Sequence, residues 1–495
     1  MAVGSSNDFD LVVLGAGTGG YTAAFRAAQL GLRVALVDED KIGGTCLHRG
    51  CIPTKALLES AEVLHRAHNL KDYGVVLPGE PGVDYAQMAA RRDQVVKRMW
   101  TGLKSLVTKN KVAWIHGRGR LDGPGRVRVT QSAEDAQDAP DGDAGTTEAG
   151  SKGVRLLQAT DVIIATGSRV KSLPGLEPDG ERIVTSDDVL RRPDAPRSIV
   201  IVGAGAVGVE FASFYHDIGT EVTLLEYLPR IVPLEDRDVS QLVERSFTKR
   251  GIRVVTNARF DPKTVEKTKD GVCVDVAREG EGGPGKSEEI RAEAMLVATG
   301  RAANVEEIGL ETTKVEVDKG VIKVNGKMRT KEPHVYAIGD AVGGLWLAHV
   351  AAHEGIVAAH TIAGERDVHE IDYNAQPRAT YCRPEIASIG LTEQQCEEQG
   401  LPVKVGKVPF QAIAKAIVGG EYEGFAKVIG HRETDDTLGI HIVGPHATDL
   451  IAEASVAFTL DATPWEIGGA THAHPTLAEV LGEAALAVDG RSINF

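Results

Sequence analysis

The chain has 495 residues, 42% of them hydrophobic, and its 55 basic against 70 acidic residues give a formal charge of −15. That length exceeds what one hydrophobic core supports, so roughly two to four domains are expected. The acidic balance disfavours nonspecific binding to nucleic acid or to an anionic membrane. The opening MAVGSSNDFD has neither a basic region nor an apolar run, and no apolar stretch approaches spanning length, so a soluble, cytoplasmic protein with no nucleic-acid and no membrane partner is expected.

Residues Phe9 to Leu14 form an apolar run of strand length that leads into Gly15-Ala16-Gly17-Thr18-Gly19-Gly20. A small-residue helix is expected from there to Gly31, followed by a strand over 33–37 that ends at Asp38. This is a dinucleotide fingerprint in the setting it requires. Gly15, Gly17 and Gly20 supply a tight turn, a close backbone approach to a pyrophosphate and close helix packing. Amides at the helix start then receive phosphate. Asp38 is the candidate for bonding a ribose hydroxyl, with Glu39 as the alternative.

Next comes Gly43-Gly44-Thr45-Cys46-Leu47-His48-Arg49-Gly50-Cys51-Ile52-Pro53-Thr54-Lys55, which sets two of the chain's five cysteines five positions apart. In a chain without secretory features such a pair is redox-active or metal-binding rather than a structural staple. Metal is the weaker reading, because zinc sites favour two-residue spacers and a second ligand pair, whereas Cys273, Cys382 and Cys396 are scattered singly. No metal is expected.

Residues 131–153 carry six acids and one lysine among Ala, Gly, Thr and Pro, a composition that cannot bury a core, and a disordered hairpin extension is expected there. The strand Asp161 to Ala165 then closes the first unit at Thr166-Gly167. The pattern recurs with Ser198 to Val202, Gly203-Ala204-Gly205-Ala206-Val207-Gly208, a helix to Gly219, and a strand from Glu221 to Leu225 ending at Glu226. Gly15 to Gly203 and Asp38 to Glu226 are both separated by 188 residues, so two nucleotide sites are implied. An acid at Glu226 accepts a free 2'-hydroxyl and repels a 2'-phosphate, which favours NAD over NADP on Gly203, Gly205 and Gly208. A polar loop is expected at 278–289, and a closing strand from Ala294 ends at Thr299-Gly300.

Val335 to Ile338 reads as a strand ending in Gly339-Asp340, where a carboxylate suits a hydroxyl-rich cofactor arm, and 347–363 as a helix. From about Ile371 the texture changes to strands at 385–391, 403–408, 424–429 and 438–443, then helices at 449–460 and 477–488. Between the last two lies His472-Ala473-His474-Pro475-Thr476-Leu477-Ala478-Glu479. A histidine followed by proline, with a glutamate at a helix start five residues on, is an oriented acid/base pair in prospect. Loop or metal-binding roles for His472 and His474 stay open on the residues alone.

Together, GGTCLHRGCIPTK, the two fingerprints, YAIGD and HAHPTLAE closely resemble the dihydrolipoamide dehydrogenases of the pyridine nucleotide-disulfide oxidoreductase family, across residues 9–488. The resemblance implies an α/β fold with two Rossmann-like domains, for FAD and NAD, and an α+β C-terminal dimerisation domain. It sets the boundaries at 1–167 and 300–368 for the FAD-binding parts, 168–299 for NAD and 369–495 for dimerisation. It implies a homodimer whose partners are lipoyl domains of a 2-oxoacid dehydrogenase acyltransferase or of glycine cleavage.

By the same resemblance, Cys51 is the charge-transfer thiol against the flavin and Cys46 the interchange thiol. Lys55 lies near the flavin, paired with Glu210. Gly44, Thr45, Thr166, Gly167, Asp340 and Ala348 complete the FAD site, and Gly300 the NAD site. His474 is the base, oriented by Glu479 across the dimer. The CLHRGC spacer departs from the more usual CLNVGC at His48 and Arg49. A mycothione reductase-like small-molecule disulfide reductase is the alternative enzyme, and a binding flavoprotein without turnover is the alternative of another class.

Overall fold

The structure is a computed structural model that describes residues 8–131, 153–280, 283–285 and 287–495. The chain divides into two compact units, one made of Met1–Thr54, Ala90–Lys171 and Arg301–Ile371, the other of Lys55–Ala89, Ser172–Gly300 and Asp372–Phe495.

In the first unit, strand β1 (Phe9–Leu14) pairs in parallel with β2 (Val34–Asp38), Leu11 opposite Val34 and Leu14 opposite Val37. On its other side β1 pairs with Val154–Ile164. With a parallel neighbour on each side, β1 is buried from Leu11 to Leu14, which is why that stretch reads as a continuous apolar run. The second strand begins one residue later than the sequence suggests, because Arg33 turns out to solvent and pairs with Asp10 at 2.8 Å. Among the described residues the sheet runs Ala113–His116, β2, β1, Val154–Ile164, Arg126–Thr130, Arg118–Leu121, with Val335–Ala337 added in parallel beside Val154–Ile164.

Helix α1 (Thr18–Gln29) buries Ala23, Ala24, Phe25 and Ala27. It lies close on Ala348–Ile362, where a side chain at Gly355 would stand 2.7 Å from the Gly19 carbonyl oxygen. The thiol segment forms α2 (Gly44–Arg49) and the start of α3 (Cys51–His68), and a long helix, α4 (Tyr85–Lys109), follows. Of the acidic stretch 131–153, residues 132–152 lie outside the described residues. Its base is closed by the Gln131 amide donating to the Gly153 carbonyl at 2.6 Å.

The second unit repeats the parallel arrangement, in the order Arg253–Val255, Glu221–Leu225, Ser198–Val202, Ala294–Val297, Ile183–Val184. Its helix Ala206–Asp217 buries Phe211, Phe214 and Tyr215 against Val239, Val243 and Phe247. The polar loop expected at 278–289 is shorter than its composition suggests. Strand Gly271–Gly280 reaches into the loop's first three residues and Glu288–Ala292 takes up its last two, the two strands pairing with Val274 opposite Ile290 and Val272 opposite Ala292.

The same unit carries an antiparallel sheet in the order Arg378–Thr380, Glu385–Gly390, Thr437–Gly444, Phe425–His431, Val403–Pro409. It buries Ile389, Val428, Ile440 and Ile442 beneath helices Ala447–Thr459 and Glu479–Ala487. Several short elements here are absent from the sequence reading, among them the helices Glu393–Glu398 and Ala414–Gly419. Arg378–Thr380 is a three-residue edge strand, and Pro464–Gly469 is a single turn held by a Thr463/Glu466 capping box. No helix among the described residues is long and apolar enough to cross a membrane.

One buried charge cluster ties this sheet to the helix Arg237–Arg250. Lys427, with its side chain 1% exposed, donates to Asp236 at 2.9 Å, Asp238 at 3.1 Å and Glu393 at 2.6 Å. Asp236 also caps that helix through the Asp238 amide at 3.0 Å. Lys427→Met leaves a buried carboxylate without its cation and is expected to destabilise the protein by about 3–5 kcal/mol. Urea unfolding checks this, and an unshifted midpoint would show that the cluster contributes nothing.

Candidate active site

The two glycine turns are geometrically equivalent. Gly15 has φ +103°, a side chain there would stand 2.1 Å from the Ala165 carbonyl oxygen, and one at Gly20 would stand 1.8 Å from the Gly15 carbonyl oxygen. In the second turn Gly203 has φ +99° and a side chain at Gly208 would meet the Gly203 carbonyl oxygen at 1.8 Å. Only glycine fits these four positions. Gly17 and Gly205 are different, because a side chain at either would meet nothing within 4 Å. That open space over a helix start is what backbone approach to a pyrophosphate requires.

The acids complete both turns. Asp38 accepts from the Ala16 amide at 2.6 Å and the Asp40 amide at 2.9 Å. Glu226 accepts from the Ala204 amide at 2.7 Å and the Leu228 amide at 2.9 Å. Each partner in the second turn lies 188 residues after its counterpart, so the repeat extends to the hydrogen bonds. Burial pushes the Asp38 carboxyl above its ordinary range, against the pull of its two amide donors. A cleft of about 520 Å³ opens beside the first turn, lined by Gly15, Asp38, Glu39, Arg118, Thr166 and Arg169. Its size suits one half of a dinucleotide. In the second unit the buried Thr299 hydroxyl, next to Gly300, has no hydrogen-bond partner among the described residues. Both cradles fit nucleotide cofactors.

The thiol segment sits on the first turn. The Gly43 amide donates to the Ala16 carbonyl at 2.9 Å, and a side chain at Gly44 would lie 2.6 Å from the Gly17 Cα. Cys46 lies within α2, Cys51 opens α3, and both are half-buried. Burial first, then the charges of both sulfurs, push the Tyr21 phenol up, against a hydrogen bond with Thr18. The spacer is anchored as well: His48 Nε2–H donates to the Ile42 carbonyl at 2.9 Å, and Arg49 pairs with Asp40 at 2.8 Å.

In the second unit Lys55 pairs with both oxygens of Glu210, at 2.8 and 2.7 Å. The Tyr381 amide donates to the same carboxylate at 2.9 Å, and the Lys55 ammonium stands 4.6 Å from the Tyr381 ring centre. His474 Nδ1 lies 2.9 Å from Glu479 Oε1, while Oε2 accepts from the Thr476 amide at 2.9 Å. The hydrogen bond from His474 is the main reason the Glu479 carboxyl lies below its usual range. Nδ1–H therefore faces a carboxylate and Nε2 is left to exchange a proton. His472 is not part of this pair, since its Nε2 is held by Glu453 at 2.8 Å and its side chain is only 12% exposed.

Residues 9–355 match the family model described as pyridine nucleotide-disulphide oxidoreductase, and residues 376–485 match its dimerisation domain. The chain belongs to the pyridine nucleotide-disulphide oxidoreductases. Relatives named dihydrolipoyl dehydrogenase include those of Bacillus subtilis, 46% identical with 99% of this chain and 100% of the relative covered, and of Zymomonas mobilis, 43% identical with the same coverage. The crystal structure of LpdA from Mycobacterium tuberculosis superposes with a TM-score of 0.84 at 28% identity, covering 96% of this chain and 98% of the other. The fold alone is shared with the flavoprotein disulfide reductase RclA from Escherichia coli, at a TM-score of 0.80 and 23% identity over 97% of this chain and 99% of that one.

Two residues that the sequence does not single out, Ser168 and Arg301, stand beside predicted ones. Asp340, at the end of the strand Val335–Ala337, accepts from the Ser168 hydroxyl, and Arg301 donates to that hydroxyl at 2.6 Å while standing 3.9 Å from Asp340. Thr166 donates to the Asn304 carbonyl at 2.6 Å. Ser168 and Arg301 each follow a predicted closing glycine, Gly167 and Gly300, and that placement was their one available signal. Ala348 opens its helix without a side-chain cap. Cys46 and Cys51 belong to the first unit, and Lys55, Glu210, His474 and Glu479 to the second.

The glycine geometry separates two effects. Gly20→Ala is expected to lose most of the bound flavin, and Gly208→Ala to keep the flavin and lose most of the NADH affinity. Flavin absorbance per protein and NADH fluorescence titration measure the two outcomes. Flavin loss in both variants would refute independent sites.

Proposed function

We propose that this chain is a dihydrolipoamide dehydrogenase: a homodimer that oxidises protein-bound dihydrolipoamide to lipoamide and reduces NAD+. The observation that carries the reading is the seating of the Cys46/Cys51 segment on the first nucleotide turn, through the Gly43 amide and the close approach of Gly44 to Gly17. Full-length relatives of that name favour it over a small-molecule disulfide reductase. A cytoplasmic setting suits a thiol pair that must cycle between oxidised and reduced states.

His474, with Nδ1 held by Glu479, takes the proton of a substrate thiol at Nε2, because only the thiolate attacks a disulfide efficiently. That thiolate attacks Cys46 Sγ and the Cys46–Cys51 bond breaks, leaving a mixed disulfide on Cys46 and a thiolate on Cys51. The substrate's second sulfur then attacks the mixed disulfide, lipoamide closes its ring, and Cys46 leaves as a thiol after protonation. Two electrons thereby pass from the substrate to the enzyme's sulfurs, and the substrate's two protons end on Cys46 and on His474, with Cys51 left as the thiolate. A flavin held on the Gly15–Gly20 turn would supply the two-electron relay between the Cys51 thiolate and NAD+.

The chain's own residues position each end of this path. Gly15, Gly17, Gly20, Asp38 and Asp340 hold the flavin nucleotide, with Gly44, Thr45, Thr166, Gly167 and Ala348 beside it. Lys55, fixed by Glu210, sets a positive charge near the ring. Gly203, Gly205, Gly208, Glu226 and Gly300 hold NAD. The Glu226 carboxylate disfavours a 2'-phosphate through like charge. The dithiol arrives on the lipoyl domain of an acyltransferase or of glycine cleavage, and His474 acts on the partner protomer's thiols.

Cys46→Ser and His474→Gln are each expected to lower dihydrolipoamide–NAD+ turnover by at least about 10³-fold with FAD retained. Steady-state NADH formation measures this, and a variant that kept near-normal turnover would remove that residue from the mechanism. Glu226→Gln is expected to narrow the NAD/NADP preference by about tenfold, one like-charge contact being worth on the order of 1 kcal/mol. An unchanged ratio of kcat/KM values would show that the acid does not set the choice.

A further inference from the structure

The chain's charge is uneven. Helix α4 carries Arg91, Arg92, Lys97, Arg98, Lys104 and Lys109 against a single acid, Asp93, and Lys111 follows at its end, in a chain whose formal charge is −15. Arg92 is buried and pairs with Asp93 at 2.8 Å. The others are exposed. Lys97 and Lys104 lie seven residues apart along one edge of the helix, and Arg91, Arg98 and Lys109 fall along another, with the exposed Met99 and Leu106 beyond it. The opposite side, with Val96, Trp100, Leu103 and Val107, packs on the apolar core of the first unit. Among the described residues, Lys97, Arg98, Lys104, Lys109 and Lys111 make no ion pair with any carboxylate.

This face is joined to the thiol segment. Trp100 of α4 stands edge-on to the His48 ring at 6.2 Å, and the Lys41 and Lys104 ammonium groups lie 5.4 and 3.9 Å from its ring centre. Basic residues on α4 therefore border the segment that holds Cys46. A structural helix in an acidic protein gains nothing from leaving one face uniformly cationic, since mutual repulsion along it is unfavourable. A cationic face carrying two exposed apolar residues has the composition of a docking surface for an anionic protein partner.

Resting on the reading of the chain as a dihydrolipoamide oxidoreductase, we propose that the exposed face of α4 docks an acidic lipoyl-bearing domain. The partner's negative surface is steered to Lys97, Arg98 and Lys109, and its dithiol is delivered toward the Cys46 segment beside Trp100. The contribution is to encounter and orientation rather than to chemistry, so it acts on the domain-borne substrate and not on the free one.

The test compares two substrates on one holoenzyme variant, Lys97→Glu/Arg98→Glu/Lys109→Glu, with Lys97→Gln/Arg98→Gln/Lys109→Gln as the milder change. The substrates are free dihydrolipoamide and a purified, dihydrolipoylated acyltransferase lipoyl domain of net negative charge. For the domain, kcat/KM is expected to fall at least about tenfold in the reversal variant, less in the neutral one, and to lose most of its dependence on NaCl. For free dihydrolipoamide it is expected to stay within about twofold at unchanged flavin content. Equal losses on both substrates, or no loss on the domain, overturn the docking surface. A wild-type protein that does not oxidise free dihydrolipoamide instead overturns the proposed function. Salt-sensitive capture of a DNA oligomer, abolished by the reversal while domain turnover is unchanged, assigns the face to nucleic acid and also overturns the proposal.

Discussion

A carboxylate at the end of a strand, gripping the amide of a glycine turn, is the contact on which both halves of this molecule depend. Asp38 holds Ala16 and Glu226 holds Ala204, each at hydrogen-bond distance, and each also takes an amide two residues further on. The bond fixes the turn that brings the Gly15 and Gly203 carbonyls against Gly20 and Gly208, where no side chain fits. With the turn fixed, Gly17 and Gly205 face open space at a helix start. The acid thus shapes the loop, and in the proposed reading it also meets the ribose. In the first half the turn does more, because the thiol segment is laid on Ala16 and Gly17.

In the proposed mechanism the chemistry is carried by pairs rather than by isolated side chains. The Lys55 ammonium is shared by Glu210 and the Tyr381 ring, so its position is set by three contacts instead of by a flexible four-carbon stem. His474 takes its tautomer from Glu479, and Glu479 takes its orientation from the Thr476 amide. Asp340 is held by Ser168, and Ser168 by Arg301. In each case a group that must carry or face charge is fixed by a second group, so that little side-chain freedom remains to be lost when a cofactor or substrate arrives.

How much of this was legible in the sequence follows from how local each feature is. Strands β1, Ser198–Val202 and Glu221–Leu225 lie where their apolar runs and bounding glycines predict, because the buried stretches of strands covered on both faces are mostly apolar. The Arg378–Thr380 edge strand escaped notice since three residues carry no periodicity. The polar end of Gly271–Gly280 escaped it because cross-strand pairing with Ala258–Arg259 and Gly283–Pro284, not composition, holds it. Lys427 reads as an ordinary strand lysine until the structure sets it, fully buried, among three carboxylates from two distant segments. Ser168 and Arg301 are 133 residues apart, and no spacing rule connects them.

Net charge illustrates the same difference between a sum and an arrangement. A total of −15 argues against polyanion binding only if the charges are evenly spread. Screening confines each surface charge to about 8–10 Å at physiological ionic strength, so a partner approaching α4 senses the local cations and few of the distant acids. The excess of carboxylates elsewhere still acts, because it repels an anionic partner from the rest of the surface and leaves this face as the favourable approach. Two opposite local signs on one molecule therefore select an orientation, which a uniform charge of either sign does not.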